Sequence, residues 1–518
     1  MRSRPAALCR RALCAAALAS AALLCGCTVG PSFRRPSPPA PSGYLPPGES
    51  RPIGPAVAAA EQRAPAAGRY GQQIELGATG AREWWRLFHA PALDALIRRA
   101  LKDNHDLAAA QASLEEAQEL VAAQSGRRYP QVALNAATGR EKYGAEFLGP
   151  LAFPPFTSEA VGTSVSYLLD YDGALRRSVE ESQALAQYQR SELAAAGLSL
   201  TGSVGSEAVV IAATRAEIRA AAGLLAEDRD NLELVRTAFA NGSVSRLDVL
   251  TAQSQLASDQ TLLPPLEQQL AVARHALAAL LGSPPADWSQ PDIDLAALTL
   301  PRMIPVSVPS QLIRRRPDIL AAEAQLHAAT AAVGVATANL YPQIDLTASL
   351  SRESLKPGQL FNASSTAWSL VASLTAPLFD GGTLRAERRA TLDALHARAD
   401  RYQQVVLDAF GQVADLLDAL DHDAQLLAAQ ANARDTSEIN LELARESYGE
   451  GNTGLLQVLD AERQRQRADL GFLQAQARQY LDTIQLLLAA GGGLPRASYA
   501  AAPHATASVG MLADHADD

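Results

Sequence analysis

Asp106-Leu107-Ala108-Ala109-Ala110-Gln111-Ala112 runs on to Tyr129-Pro130-Gln131-Val132, and Asp318-Ile319-Leu320-Ala321-Ala322-Glu323-Ala324 runs on to Tyr341-Pro342-Gln343-Ile344. The two stretches are one pattern written twice, 212 residues apart. Further on the offset becomes 209. Leu175-Arg176 matches Leu384-Arg385, Phe239-Ala240-Asn241-Gly242 matches Tyr448-Gly449-Glu450-Gly451, and Val249-Leu250 matches Val458-Leu459. Three residues are therefore missing from a loop of the second copy, between Gln343 and Leu384. A unit of this length is no solenoid repeat. It is a duplicated half-protein, and a chain of 518 residues is expected to be one body built from two similar halves.

Each copy carries the same sequence of elements. Tyr129-Pro130 ends a helix, because the residue before proline is pushed out of the α region. The next residues alternate. Val132, Leu134 and Ala136 face one way, and Gln131, Asn135 and Ala137 the other. A second run sets Val161, Thr163, Val165, Tyr167 and Leu169 against Gly162, Ser164, Ser166 and Asp170. In copy two, Ile344, Leu346, Ala348 and Leu350 oppose Asp345, Thr347, Ser349 and Ser351, and Trp368, Leu370, Ala372 and Leu374 oppose Ser369, Ser373 and Thr375. Period two with one apolar face predicts four strands, over about 130–142, 160–171, 342–353 and 366–378. The pattern suits two hairpins of a soluble sandwich and also strands of a transmembrane barrel, where Tyr129, Tyr171, Tyr341 and Phe379 would mark one interface and Phe156, Phe361 and Trp368 the other. Four strands cannot close a barrel and an open edge in lipid is not viable, so spanning strands require several chains to pool them.

Each second strand leads into a proline-free helical pattern, 174–240 and 383–448, which at about 1.5 Å per residue is roughly 100 Å long. Return helices are expected over 245–281 and 455–488. Pro264-Pro265 must break or kink the first of them. Domain boundaries follow: a signal segment 1–26, a Pro-rich tether 27–80, a first repeat 81–282, a linker 283–308, a second repeat 309–490 and an Ala-rich, disordered tail 491–518. Glu83-Trp84-Trp85-Arg86-Leu87-Phe88 is an aromatic cluster that docks the following helix onto the body.

Composition narrows the function. Apolar residues make up 48% of the chain but aromatics only 5%, with much alanine, which favours closely packed helices. Net charge is −10, and loss of the four arginines of the signal segment takes it to −14. An acidic balance argues against nucleic acid. All four cysteines, Cys9, Cys14, Cys25 and Cys27, lie in the first 27 residues, so the body holds no disulfide or cysteine metal site. Arg2, Arg4, Arg10 and Arg11 precede an apolar run from Ala12 to Leu24, too short to span a bilayer in the usual way. The run ends Leu24-Cys25-Gly26-Cys27, which resembles a bacterial lipobox with Cys27 as the acylated residue; an ordinary secretory signal cleaved nearby is the alternative. Gly449-x-Gly451-x-x-Gly454 has the spelling of a dinucleotide loop but follows a helix rather than a strand. No catalytic constellation, cofactor motif or metal-ligand spacing is legible. Asp460 and Arg463 stand at helical i and i+3 in copy two only; copy one has Thr251 and Ser254 there.

The motifs in combination resemble the TolC-like outer-membrane efflux ducts, in particular their NodT-type lipoprotein branch. They are Cys27-Thr28-Val29-Gly30-Pro31, Trp84-Trp85-Arg86, Arg315-Arg316-Pro317-Asp318, Tyr341-Pro342-Gln343, Leu378-Phe379-Asp380-Gly381-Gly382 and Leu459-Asp460-Ala461-Glu462-Arg463. The resemblance implies a mostly α fold with a β-barrel part. Three chains would pool four strands each into a 12-stranded outer-membrane barrel above a periplasmic α-helical tunnel. It implies a homotrimer, lipid-anchored in the outer membrane, that works with a periplasmic adaptor and an inner-membrane pump as a passive exit duct. By the same resemblance Asp460 would form a ring of three carboxylates at the periplasmic constriction, with Arg463 and Tyr448 in its latch and Leu456 near an apolar ring. A helical scaffold lipoprotein and a protein-secretion duct are the other readings.

Overall fold

The computed structural model describes residues 28–37, 43–44, 70–78, 83–142, 154–287 and 293–491. Cys27, the signal segment, most of the tether and the tail past Gly491 lie outside the described residues. In chain order the elements are β1 (Gln73–Leu76), a 3-10 turn (Trp84–Phe88), α1 (Pro91–Asp103), α2 (His105–Gly126), β2 (Gln131–Glu141), β3 (Phe156–Leu168), α3 (Ala174–Ala240), α4 (Arg246–Asp259), α5 (Leu263–Leu280), β4 (Met303–Val306), α6 (Pro309–Leu312), α7 (Pro317–Ala338), β5 (Gln343–Ser354), β6 (Thr366–Thr375), α8 (Thr383–Gly449) and α9 (Leu455–Ala489).

Two compact units cut across the two repeats, each taking parts of both: residues 1–38, 112–191 and 320–405 in one, and 39–111, 192–319 and 406–518 in the other. The first unit holds a four-stranded antiparallel sheet in the order β2-β3-β5-β6. Its register keeps like faces together. Leu134 opposes Thr163, Thr163 opposes Leu350, and Leu350 opposes Trp368 on one face; Ala133, Ser164, Ser349 and Ser369 line up on the other. The Ser349 and Ser369 hydroxyls meet at 2.8 Å. Gln131 pairs with Ser166 in the first hairpin and Gln343 with Thr375 in the second. These ends differ by 212 and 209, so the two hairpins share one register and the three missing residues belong to the β5–β6 loop. β3 begins at Phe156, four residues before the alternation becomes visible in the sequence. β6 stops at Thr375, two residues short of Pro377, which has no N–H to donate. Carboxylates start the long helices: Asp170 accepts from the Leu175 and Arg176 amides at 2.9 and 3.1 Å, and Asp380 from those of Gly382 and Leu384 at 2.9 and 2.8 Å. Each satisfies helix N-terminal donors that have no intrahelical partner.

The described start of the tether is laid onto this unit. The Val29 amide donates to Asp172 O at 3.0 Å. The Arg177 guanidinium reaches Val29 O, Gly30 O and Ser32 Oγ at 3.3–3.5 Å and Glu180 at 2.7 Å. Phe33 stacks on His327 at 4.3 Å. Gly30 (φ +87°) lies so near Gly334 that a Cβ would stand 2.6 Å from its Cα.

The second unit is organised by the aromatic cluster. Trp84, Trp85 and Phe88 are buried, with Trp84 edge-on to both rings at 6.0 Å. Around them pack α1, parts of α3, α5 and α9, and a small parallel sheet in which β1 pairs with β4, Gln73 opposite Met303 through Leu76 opposite Val306. That sheet joins a strand from the tether segment, β1, to one from the linker segment, β4. α4 and α5 are two helices separated by a 3-10 turn at Gln260–Leu262, with Pro264 in the first turn of α5. Proline is tolerated there because that N–H has no intrahelical acceptor.

Candidate functional site

In the second unit, α3 and α8 end on matching turns. The Gly242 and Gly451 residues adopt φ +73° and +77°. In copy one the Ser243 amide donates to Ala238 O; in copy two the Asn452 amide donates to Ser447 O, each at 2.9 Å. Only a left-handed residue closes a helix this way, and glycine takes that conformation without steric cost. The next helices start differently. α4 has a capping box between Ser245 and Asp248, whereas Gly454 at the start of α9 caps nothing with a side chain.

The structure brings Asp460 and Arg463 together. Arg463 Nη2 donates to Asp460 Oδ1 at 2.9 Å, and Gln464 Nε2 donates to Oδ2 at 2.8 Å. The pair is about half exposed, so within one chain its worth is at most about 1 kcal/mol. Tyr448, in the last turn of α8, and Leu456, in the first turn of α9, are exposed and join neither of the two by a hydrogen bond.

The sequence reading missed what lies beneath. Glu462 is buried, with only 3% of its side chain exposed. Asn231 Nδ2 of α3 donates to both of its oxygens at 2.9 Å, and Arg445 Nη2 of α8 donates to Oε1 at 2.9 Å. Arg445 also reaches Glu227 Oε2 at 3.1 Å. Arg465 holds Glu227 at 3.4 Å and Glu438 at 2.8 Å. One signal was available: Glu462 follows Val458 and Leu459 at i+4 and i+3, on the helix face that also buries them. A carboxylate on a core stripe calls for a partner.

A second buried carboxylate adjoins this cluster. Asp228, one turn before Asn231, is buried and its Oδ2 has no hydrogen-bond partner. Burial pushes Asp228 up to about 7, helped by its approach to Asp259 and by the charges of Asp259, Glu462 and Glu227. A neighbouring carboxylate disfavours the charged form of a buried acid, in the same direction as its desolvation. Asp423 repeats the arrangement with Asp482: burial again raises it to about 7, against the opposing charge of Arg478, whose Nε lies 3.0 Å away. An acid whose folded pKa exceeds its unfolded value keeps its proton in the native chain where the unfolded chain has lost it. Stability then falls as pH rises from about 4 to about 7 and is level above. Asp228→Asn is expected to remove its share of that fall, raising the thermal midpoint at pH 8 while leaving it nearly unchanged at pH 4. An equal shift at both pH values would show that Asp228 does not keep its proton in the folded chain.

The geometry therefore consists of an amphipathic four-stranded sheet with two unpaired edges in one unit and, in the other, helices joined through the buried carboxylate of Glu462. The family model described as "Outer membrane efflux protein" matches residues 96–283 and 308–492. The pyoverdine export outer membrane protein OpmQ of Pseudomonas aeruginosa is 32% identical over 438 residues, covering 83% of this chain and 91% of that protein. The probable outer membrane lipoprotein SilC of Salmonella typhimurium is 31% identical, covering 79% and 88%. The solved structure of the outer-membrane channel OprN superposes with a TM-score of 0.79 at 28% identity, over 90% of this chain and 99% of that one. Two copies of the family's repeat, its sheet and its helices are all present in this chain, which belongs to the outer membrane efflux protein family and is an outer-membrane efflux channel, not an enzyme.

Proposed function

We propose that three copies of this chain form the exit duct of a tripartite efflux system, fed through a periplasmic adaptor by an inner-membrane pump. The observation that carries the reading is the sheet in the first unit: one face apolar, one face of small polar residues, and β2 and β6 both unpaired. Unpaired backbone groups in hydrocarbon cost several kcal/mol each, so the sheet is suited to lipid only when several copies close it. The cargo is small molecules; among relatives, OpmQ is named for pyoverdine export. Acylated Cys27 anchors the chain to outer-membrane lipid. The docking of Val29, Gly30 and Ser32 on Arg177 favours this, since it holds the chain just past Cys27 on the unit that carries the sheet. Mass and single-channel conductance of the detergent-extracted protein test the reading. A conducting trimer whose chains begin at acylated Cys27 supports it, and a monomer that never inserts overturns it.

In this assembly Asp460 of each copy contributes to a ring of three carboxylates at the periplasmic end, with Arg463 and Tyr448 in the latch and Leu456 in an apolar ring. Like charges on a threefold axis repel, so cations or hydrogen bonds must compensate in the closed state. Asp460→Ala is expected to abolish block by multivalent cations and to raise the resting conductance. Conductance and cation block identical to the parent protein would remove Asp460 from the constriction.

A further inference from the structure

The trimeric reading leaves open how one copy's sheet joins the next, and the internal repeat supplies the answer. Within the chain, β3 is the second strand of copy one and β5 is the first strand of copy two. Their pairing is thus a seam between the end of one hairpin and the start of the other. The unpaired edges are β6, the second strand of copy two, and β2, the first strand of copy one. A seam between β6 of one subunit and β2 of the next would be the same seam with the copies exchanged.

Its register can be read by translation. In the β3–β5 ladder the numbers of opposed residues add to 513, from Glu159 with Ser354 to Leu168 with Asp345. Moving β3 forward by 209 and β5 back by 212, the offsets shared by the two hairpins, changes the sum to 510. We propose that β6 of each subunit pairs antiparallel with β2 of its neighbour so that opposed residues add to 510, placing Ser373 opposite Ala137 of the partner subunit and Leu374 opposite Ala136 of the partner subunit.

Three independent features of the sheet agree with this register. The first is parity. Ser373 and Ala137 lie on the small polar face and Leu374 and Ala136 on the apolar face, as the four-strand register shows. An even sum joins like faces, whereas a slip by one residue would set an apolar side chain of one strand among polar neighbours of the other. The second is proline. The Leu169 amide donates to the directly opposed Ile344 O at 2.9 Å, so odd positions of β3 are hydrogen-bonded to β5 and even ones are not. By translation the amides of Leu370, Ala372 and Leu374 point to the free edge and that of Pro377 points away from it. The one residue without an N–H thus sits where this seam needs none. The third is exposure. Trp368 and Leu370 remain 76% exposed, Leu134 75% and Leu378 96%, an apolar border along both edges that a second copy would continue.

This register rests on the trimeric reading, and cysteine cross-linking separates the two. Ser373 and Ala137 fall on a non-hydrogen-bonded pair, with Cα atoms about 4.5 Å apart, within disulfide range. Inside one chain β2 and β6 are three strand spacings apart, about 14 Å, so no intrachain bond can form. The body has no other cysteine. The full-length protein carrying Ser373→Cys and Ala137→Cys is oxidised in outer membranes and run on a non-reducing gel. A covalent trimer that collapses on reduction is expected, at several times the yield from Ser373→Cys with Asn135→Cys or with Gly139→Cys, which keep the face and shift the register by two. Higher yield from a shifted pair overturns the register while the trimer stands, as does a trimeric mass with no cross-link from any pair. A monomeric mass with no cross-link overturns the trimer and the register together.

Discussion

Arg445→Ala is expected to destabilise the second unit by about 2–3 kcal/mol and to raise resting conductance. Removing one partner of a buried ion pair typically costs about 3–5 kcal/mol, because the other charge is left without compensation in a poorly solvating site. Here the stranded charge is Glu462, and Glu227 loses a partner with it. Arg445 itself is 46% exposed, so water screens part of the interaction and the expected cost falls below that range. The loss falls where α3, α8 and α9 meet, beside the buried Asp228. Relief is expected from a second change: Glu462→Gln in the Arg445→Ala chain removes the stranded charge and retains an acceptor for Asn231. Thermal unfolding and single-channel recording of the parent, the single variant and the double variant check this. If Glu462→Gln recovers neither stability nor the closed state, Arg445 acts through packing and the electrostatic account is wrong.

Trp84→Ala is expected to have the largest effect on folding, about 3–5 kcal/mol, the usual cost of emptying a fully buried aromatic site. The indole is wholly buried against Trp85 and Phe88, and its Nε1–H donates to Thr201 Oγ1 at 3.3 Å. It lies over Gly205, where a Cβ would stand 2.7 Å from the ring, so the indole packs directly on the backbone of α3. Trp84→Phe retains most of the burial and loses the hydrogen bond, and a smaller loss is expected. Thr201 keeps a partner in that variant, since its hydroxyl also donates to Leu198 O at 2.8 Å. The amount of folded protein in outer membranes, with the thermal midpoint, measures both. Equal behaviour of the alanine and phenylalanine variants would place the stabilisation in the hydrogen bond rather than in buried area.

The strands were legible because their information is local. Side chains alternate sides along a strand whatever it pairs with, so Val132, Leu134 and Ala136 declare a face without reference to a partner. The long helices were legible because neither contains a proline, and the breaks at Gly242, Gly451 and Pro264 are likewise written in single residues. The small sheet was not. Gln73-Ile74-Glu75-Leu76 and Met303-Ile304-Pro305-Val306 are four residues each, too short to show a period, and Pro305 argues against a strand when the sequence is read alone. Nor was the cluster around Glu462. Asp460, Glu462 and Arg463 are neighbouring charges on one helix, and the exposed pair attracted the functional reading while the buried residue lay between them.

The sequence by itself determined the duplication, the two faces of each strand, the helix lengths and the offsets of 212 and 209 between the copies. Only the tertiary structure decided which charges are buried, that the segment after Cys27 is seated on Arg177 and His327, and that the compact units take parts of both repeats. The division has one physical cause. Period, propensity and capping act within a turn or a few residues, whereas burial of Glu462 or Asp228 depends on helices whose residues lie 17 to more than 200 positions away in the chain.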